Sequence, residues 1–354
     1  MKKLKILITT IGGLTSPDIL HALRSNGERE VEIHGTDAFR WAVCFDMVDS
    51  FTLCPSSTSD ELGFVGHVKE LCQKHDYDLI IPCGNEDNLA LAKYKSEFAT
   101  PILVSEYDAL LAAYDKGAVY ELLAQHLPEH APRFYFAKNL EQFHQALKNL
   151  DFPNKKVVVK PRFGRGGRGV YILNDSFSFK DFFSKKPESE IALQTLETIL
   201  EKEKEFEELI LMECLQEEFV SAYSLCSKGQ NLLTLKHIRE WGNASQTYRG
   251  RVSYDPALEA LCSKVIELFR LDYTNNMELA YSTDGRLVLF DLNPRIGASS
   301  GVDCDIGFNF PYLAIKLLLG ESFTLKDKTL LKDERFMRYF SCAWVRDKMN
   351  EVIK

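Results

Sequence analysis

Long apolar runs are missing from this sequence, and nothing approaches the roughly 18 residues a membrane span needs. The start, MKKLKILITTIGG, is basic like a leader, yet its apolar run is short and no small-residue cleavage site follows. It reads as a first strand. No long basic run exists and the net charge is −8, which speaks against non-specific nucleic-acid binding. Among nine cysteines there is no C-x-x-C pair, which excludes zinc ribbons and thioredoxin-like sites and leaves the reduced thiols of a cytoplasmic protein. His126 and His130 stand at i and i+4, but Pro128 lies between them and no acid completes a zinc-protease helix. Internal repeats and low-complexity segments are also absent. What is present is 354 residues of ordinary globular composition, too long for one core and suited to two or three domains.

The first ~105 residues alternate short apolar runs with helical periodicity. Lys5 to Thr10 reads as a strand and SPDILHALRS as a helix with Pro17 in its first turn. Glu32 to Gly35 and Leu79 to Pro82 read as further strands, the second following the helix FVGHVKELCQKH. This is the rhythm of an open parallel sheet, a Rossmann-like α/β domain. The turn after its first strand is I-G-G-L-T-S, so the dinucleotide fingerprint is lacking, and Asp37 reads as a turn residue. Glu106 to Leu127 has helical periodicity, ended by Pro128 and Pro132. Glu188 to Glu208 reads as one long charged helix, and from Phe219 onward strands dominate until the helix PYLAIKLLLG.

Positive charge is concentrated in one place, VVVKPRFGRGGRGVYIL, from Val157 to Leu173. Gly164, Gly166 and Gly169 match G-x-G-x-x-G, but a β-type run follows where a Rossmann loop needs a helix. Val170-Tyr171 stand where a Walker A loop needs Lys-Ser/Thr, and the V-A-I-K, H-R-D and D-F-G signatures of a protein kinase are missing. The remaining reading is a hairpin whose glycine loop folds its backbone N–H groups over polyphosphate. Lys160 supplies a point charge there, and Arg162, Arg165 and Arg168 supply forks of donors.

A second hairpin lies in NMELAYSTDGRLVLFDLNPR, Asn276 to Arg295. With Asp284-Gly285 as a two-residue turn, Ala280 pairs with Leu289 and Glu278 faces Asp291, with Asn293 further along the same face. Two carboxylates placed opposite each other repel unless a cation lies between them. Magnesium suits an all-oxygen set of this kind, and Arg295 follows at once to meet a phosphoryl group or an anionic intermediate.

Taken together, VVVKPRFGRGGRGV, LILMECL and MELAYSTDGRLVLFDLNPRIGASS resemble the ATP-grasp superfamily, in the branch similar to the carbamoyl-phosphate synthetase large chain. The resemblance runs from about Lys5 to Gly320. It implies an α/β N-terminal domain over residues 1–105 and a linker helix over 106–132. A two-subdomain α+β ATP-grasp fold follows, with a lid subdomain carrying the glycine loop over 133–215 and a C-terminal subdomain carrying the metal site over 216–354. By the same resemblance Lys116 and Lys160 contact ATP, Arg162, Gly166, Gly167 and Gly169 belong to the phosphate loop, and Glu213 and Leu215 read the adenine. Glu278, Asp291 and Asn293 match the magnesium ligands, with manganese as an alternative ion, and Arg295 matches the phosphate-side arginine. Asn85 and Glu86 match a loop that faces the second substrate. Where relatives carry a ribose-binding Glu this chain has Phe219, leaving Glu217 or Glu218 for that contact. Arg239 and Arg249, with Lys236, are candidate carboxylate binders.

The activity implied is ATP-dependent ligation. A small-molecule carboxylate attacks the γ-phosphate, giving ADP and an acylphosphate that an amine or similar nucleophile then opens. Alternatives on the same site are a small-molecule kinase or carboxyphosphate former, and a non-catalytic ATP-binding module. The expected partners are small molecules, with neither nucleic acid nor membrane; a homodimer is compatible with the chain.

Overall fold

The computed structural model describes residues 2–13, 16–164, 167–175, 190–216, 218–242, 247–297 and 299–339. Two compact units emerge. The first holds Met1–Ala112, Ser221–Met277 and Asn293–Lys354; the second holds Ala113–Val220 and Glu278–Leu292.

The first unit begins with β1 (Leu4–Thr9), α1 (Ser16–Arg24), β2 (Val31–Asp37), β3 (Ser50–Leu53), α2 (Glu61–Lys74), β4 (Leu79–Pro82) and α3 (Asn85–Lys93). The four strands lie in the order β3-β2-β1-β4, all parallel. Ile6, Ile8, Ile33 and Ile81 are wholly enclosed, as expected when helices cover a parallel sheet. This is the open α/β sheet read from the sequence.

The segment expected as one helix from Glu106 to Leu127 is two, α4 (Tyr107–Tyr114) and α5 (Lys116–His126). Asp115 breaks it. Its extended backbone caps α5, and its carboxylate accepts from the N–H groups of Gly117 at 2.9 Å and Ala118 at 3.2 Å. Apolar periodicity runs through the break, which is why it reads as continuous.

The second unit continues with β5 (Phe134–Ala137), α6 (Leu140–Asn149), β6 (Val157–Pro161), β7 (Tyr171–Leu173), β8 (Glu190–Ile191), α7 (Leu193–Leu200) and β9 (Leu209–Glu213). Its five strands lie in the order β5-β9-β6-β7-β8. Phe143, Leu147, Val157, Val159 and Leu211 pack together with Leu196 and Leu200 of α7 as its core. The long charged helix expected from Glu188 to Glu208 is corrected by β8 and the short α7, residues 188 and 189 being outside the description. Helix α7 stops at Leu200 because the acidic and basic run after it offers only Phe206 to bury.

Strands β10 (Phe219–Ser227), β11 (Gln230–Gly242), β12 (Thr247–Ser253), β13 (Tyr273–Tyr281), β14 (Leu287–Asn293) and β15 (Glu334–Met337) form a sheet in the order β14-β13-β10-β11-β12-β15. The turn end of the β13–β14 hairpin, from Glu278 to Leu292, is counted with the second unit. Two helices belong to the first unit here, α8 (Pro256–Phe269) and α9 (Phe310–Leu318). Helix α8 is absent from the sequence expectations despite a clear start signal. Asp255 caps it through the N–H groups of Ala257 and Leu258, and Pro256 occupies its first turn. Among the described residues no helix is long and apolar enough to cross a membrane.

Candidate functional site

The expected glycine hairpin is present. β6 and β7 pair antiparallel with Val157 opposite Leu173 and Val159 opposite Tyr171. Gly167 and Gly169 adopt φ of +73° and +72°, the left-handed region that a side chain resists. Gly166 and Arg165 lie outside the described residues, and Arg168 is exposed on the loop.

Lys160 stands next to last in β6 and is 5% exposed. Its Nζ donates to the Tyr120 hydroxyl at 2.5 Å and to the Phe290 carbonyl at 3.1 Å. Burial pushes the amine down to about 7; Lys116 adds to the fall and Asp291 opposes it. Lys116, the first residue of α5, donates to the Asp291 carboxylate in a short ion pair. Two lysines, a carboxylate and a backbone carbonyl are therefore gathered within the second unit by α5, β6 and β14.

Arg162 is committed elsewhere. Its guanidinium grips Asp115 through Nε and Nη2 at 2.7 and 2.8 Å and Glu208 through Nη1 at 2.5 Å. Those two carboxylates hold it well above the ordinary arginine range. The root of the glycine hairpin is thereby tied to the cap of the helix that carries Lys116. A Cβ on Gly117 would stand 2.7 Å from Arg162 Nε, so the approach depends on glycine there.

Glu213 ends β9 with its carboxylate buried between two arginines. It accepts from the Arg133 N–H at 2.9 Å, from Arg133 Nε and Nη2 at 3.2 and 3.1 Å, and from Arg286 Nη2 at 2.7 Å. Its side chain is thus occupied by the protein. Leu215 follows, half-buried, in a segment lining a cavity of about 340 Å³ with Arg133, Asn154 and Lys156. Glu218 is exposed, Glu217 lies outside the described residues, and Phe219 packs edge-to-face on Phe290 with ring centres 5.9 Å apart.

The carboxylate hairpin corrects the expected turn. Gly285 N–H donates to Ser282 O and Ser282 N–H donates to Arg286 O, so Thr283, Asp284 and Gly285 form a three-residue loop. Gly285 takes φ +85°, the position of a glycine bulge. Carried on unchanged, this register would set Glu278 opposite Phe290. Leu287 O accepts from His130 and Phe290 O from Tyr120 and Lys160, groups outside the hairpin. Glu278 and Asp291 are half-buried, and every candidate metal ligand offers oxygen, which fits a hard divalent cation. That Asp291 already carries an ammonium in its short pair with Lys116 is consistent with a cation site.

In the first unit, Arg295 donates from Nε to Asn85 Oδ1 at 2.6 Å and from Nη1 to Ile296 O at 3.0 Å. Two sequence candidates far apart in the chain meet there. Asn85 opens α3, and Glu86 beside it is half-buried. Arg239 donates to Thr247 Oγ1 at 3.1 Å, while Arg249 pairs with Glu240 at 3.3 Å, on the β11–β12 hairpin.

Comparison with known proteins adds three findings. Residues 205–339 match the family described as ATP-grasp in the biosynthetic pathway with Ter operon. The carbamoyl phosphate synthase large chain of Gemmatimonas aurantiaca is 23% identical over 312 residues, covering 85% of this chain and 26% of that protein. That of Bifidobacterium animalis is 30% identical over 142 residues, covering 40% of this chain and 12% of the relative. Among solved structures, N5-carboxyaminoimidazole synthetase of Staphylococcus aureus with ADP superposes with a TM-score of 0.67 at 18% identity, covering 94% of this chain and 81% of that one. The chain has the ATP-grasp fold. Other ATP-grasp neighbours include biotin carboxylase of Campylobacter jejuni in a β,γ-ATP complex, TM-score 0.64 at 12% identity over 94% and 74% of the two chains. L-amino acid ligase of Bacillus licheniformis gives 0.63 at 16% over 90% and 75%. The likeness in structure establishes the ATP-grasp fold, and the chain spans about a quarter or less of the curated relatives it matches.

Tyr120 is the residue that sequence reasoning missed. Its signal was spacing: on α5 it stands at i+4 from Lys116, on the same helix face.

Proposed function

We propose that this ATP-grasp chain is an ADP-forming ligase that activates a small-molecule carboxylate as an acylphosphate and joins it to an amine or similar nucleophile. The observation that carries this reading is the gathering of Lys116, Lys160 and Asp291 on three elements of one unit, a charge arrangement suited to a metal–polyphosphate. Lys160 and Lys116 neutralise the phosphates, the glycine hairpin covers them, and the backbone from Glu213 to Leu215 reads the adenine, with Glu218 nearest the ribose. Glu278, Asp291 and Asn293 hold magnesium, or manganese in its place, and the ion when bound neutralises the developing phosphoryl charge. Arg295, steadied by Asn85, meets the carboxylate or its acylphosphate, and Glu86, Arg239 and Arg249 are reserve contacts for the second substrate.

The chemistry needs little from the protein beyond positioning and charge. The carboxylate oxygen attacks the γ-phosphorus in line, the bond to the β-bridging oxygen breaks and ADP leaves. The nucleophile then attacks the acyl carbon, loses its proton, and inorganic phosphate departs. Water must be excluded meanwhile, which the hairpin achieves by closing. Eight cysteines among the described residues are thiols, which fits a reducing, cytoplasmic setting.

Incubation with Mg-ATP and a panel of amino acids, singly and in pairs, tests the reading. Release of ADP and phosphate that requires two substrates is expected. A stable phosphorylated product points to a kinase, binding without turnover points to a non-catalytic module, and AMP among the products overturns the acylphosphate route.

A further inference from the structure

Tyr120 is among the largest wholly enclosed side chains, and its surroundings are specific. The hydroxyl accepts from Lys160 Nζ at 2.5 Å and donates to Phe290 O at 2.7 Å, while the ammonium sits 4.9 Å from the ring centre. One phenol thus joins the helix of Lys116, the strand of Lys160 and the strand of Asp291. Lys160 has two hydrogen-bond acceptors among the described residues, and Tyr120 supplies one of them and fixes the other.

A lysine free to sample its rotamers loses that freedom when a ligand orders it. We propose that Tyr120 is the positioning residue of Lys160, holding its amine against the Phe290 carbonyl so that an incoming polyphosphate meets a pre-aimed cation. The phenol takes no part in bond making. It acts through Lys160, and the inference rests on the nucleotide reading above.

The test is a double-mutant cycle read by calorimetric binding of Mg-ATP in the absence of other substrates. Tyr120→Phe keeps the ring and removes the tether, and a loss of about tenfold in affinity is expected, the size of one charge-assisted hydrogen bond. In the Lys160→Met background the same substitution is expected to change affinity less than twofold, because there is no amine left to position. A tyrosine that merely supports the fold would cost the same in both backgrounds, and that additive result overturns the proposal. So does wild-type affinity in Tyr120→Phe. Tyr120→Gln, whose amide oxygen again offers an acceptor to Nζ, is expected to recover at least half of the loss on a logarithmic scale. It also serves where Tyr120→Phe melts below the assay temperature, and Tyr120→Gln binding no better than Tyr120→Leu then counts against positioning. A wild-type chain that binds no Mg-ATP refutes the nucleotide reading itself, a result distinct from an additive cycle.

Discussion

Lys160→Met is expected to weaken Mg-ATP binding by about a hundredfold and to leave the protein as stable as the parent or more so. The two effects have opposite signs for one reason. Removing a charge-assisted contact to phosphate costs about 1.5–3 kcal/mol before the lost Coulomb attraction is added. In the free protein, however, the same amine is buried, and among the described residues its acceptors are a hydroxyl and a carbonyl. Methionine matches its length and needs no hydration, and the Tyr120 hydroxyl still satisfies Phe290 O. The pH dependence follows. The native amine titrates near 7, against 10.5 for its ordinary value, so between these limits the unfolded chain binds more protons and stability rises with pH. Below about 7 both states are protonated and the burial penalty is complete. Denaturant midpoints collected from pH 6.5 to 9.5 should therefore rise in the parent and stay flatter in Lys160→Met. Parallel profiles would show that Lys160 is not held as described. Nucleotide affinity should run the other way, falling as pH rises through 7, because phosphate prefers the protonated amine.

Glu213→Ala should lower the stability of the second unit by about 3 kcal/mol, toward the lower limit for an interrupted buried ion pair. The arginines on either side differ in their access to water, the Arg133 side chain being 51% exposed and Arg286 26%, so part of the cost is relieved by solvent. Glu213→Gln should cost less, since an amide oxygen can still accept from the Arg133 N–H. Urea unfolding followed by a probe in the second unit distinguishes the two. Equal, small losses in both variants would mean that the arginine clamp contributes little, and a loss of nucleotide affinity without loss of stability would return the Glu213 side chain to the adenine site.

Glu213 also shows where sequence reasoning stops. MECL marks the strand end and its family position, but nothing in it foretells that Arg133 and Arg286 converge on that carboxylate. Arg162 is a similar case. Charge and adjacency to the glycine loop place it on phosphate, whereas Asp115 and Glu208 claim its whole fork. Both arginines and acids are plentiful in this chain, and which of them meet depends on how strands are ordered in space. The β6–β7 hairpin was legible because local pattern defines it: an apolar strand, a lysine, glycines, then another strand. The β13–β14 hairpin was legible as an element but not in its turn, since Asp284-Gly285 suits a two-residue loop and a three-residue loop with a glycine bulge equally well. Helix α8 has a cap and a proline start that pattern reading can find, and the β-rich stretch around it obscured them. Tyr120 had only its spacing from Lys116, which gains meaning once β14 is seen beside both.

The measurement that bears most directly on the proposed chemistry follows the carboxylate oxygen. With the acid identified from the amino-acid panel and labelled with ¹⁸O in both carboxyl positions, a single turnover with Mg-ATP and the amine should place one labelled oxygen in each inorganic phosphate. That transfer occurs because the acid attacks phosphorus and the nucleophile later breaks the acyl carbon–oxygen bond. Unlabelled phosphate formed together with ligated product would contradict an acylphosphate intermediate and, with it, carboxylate activation at this site.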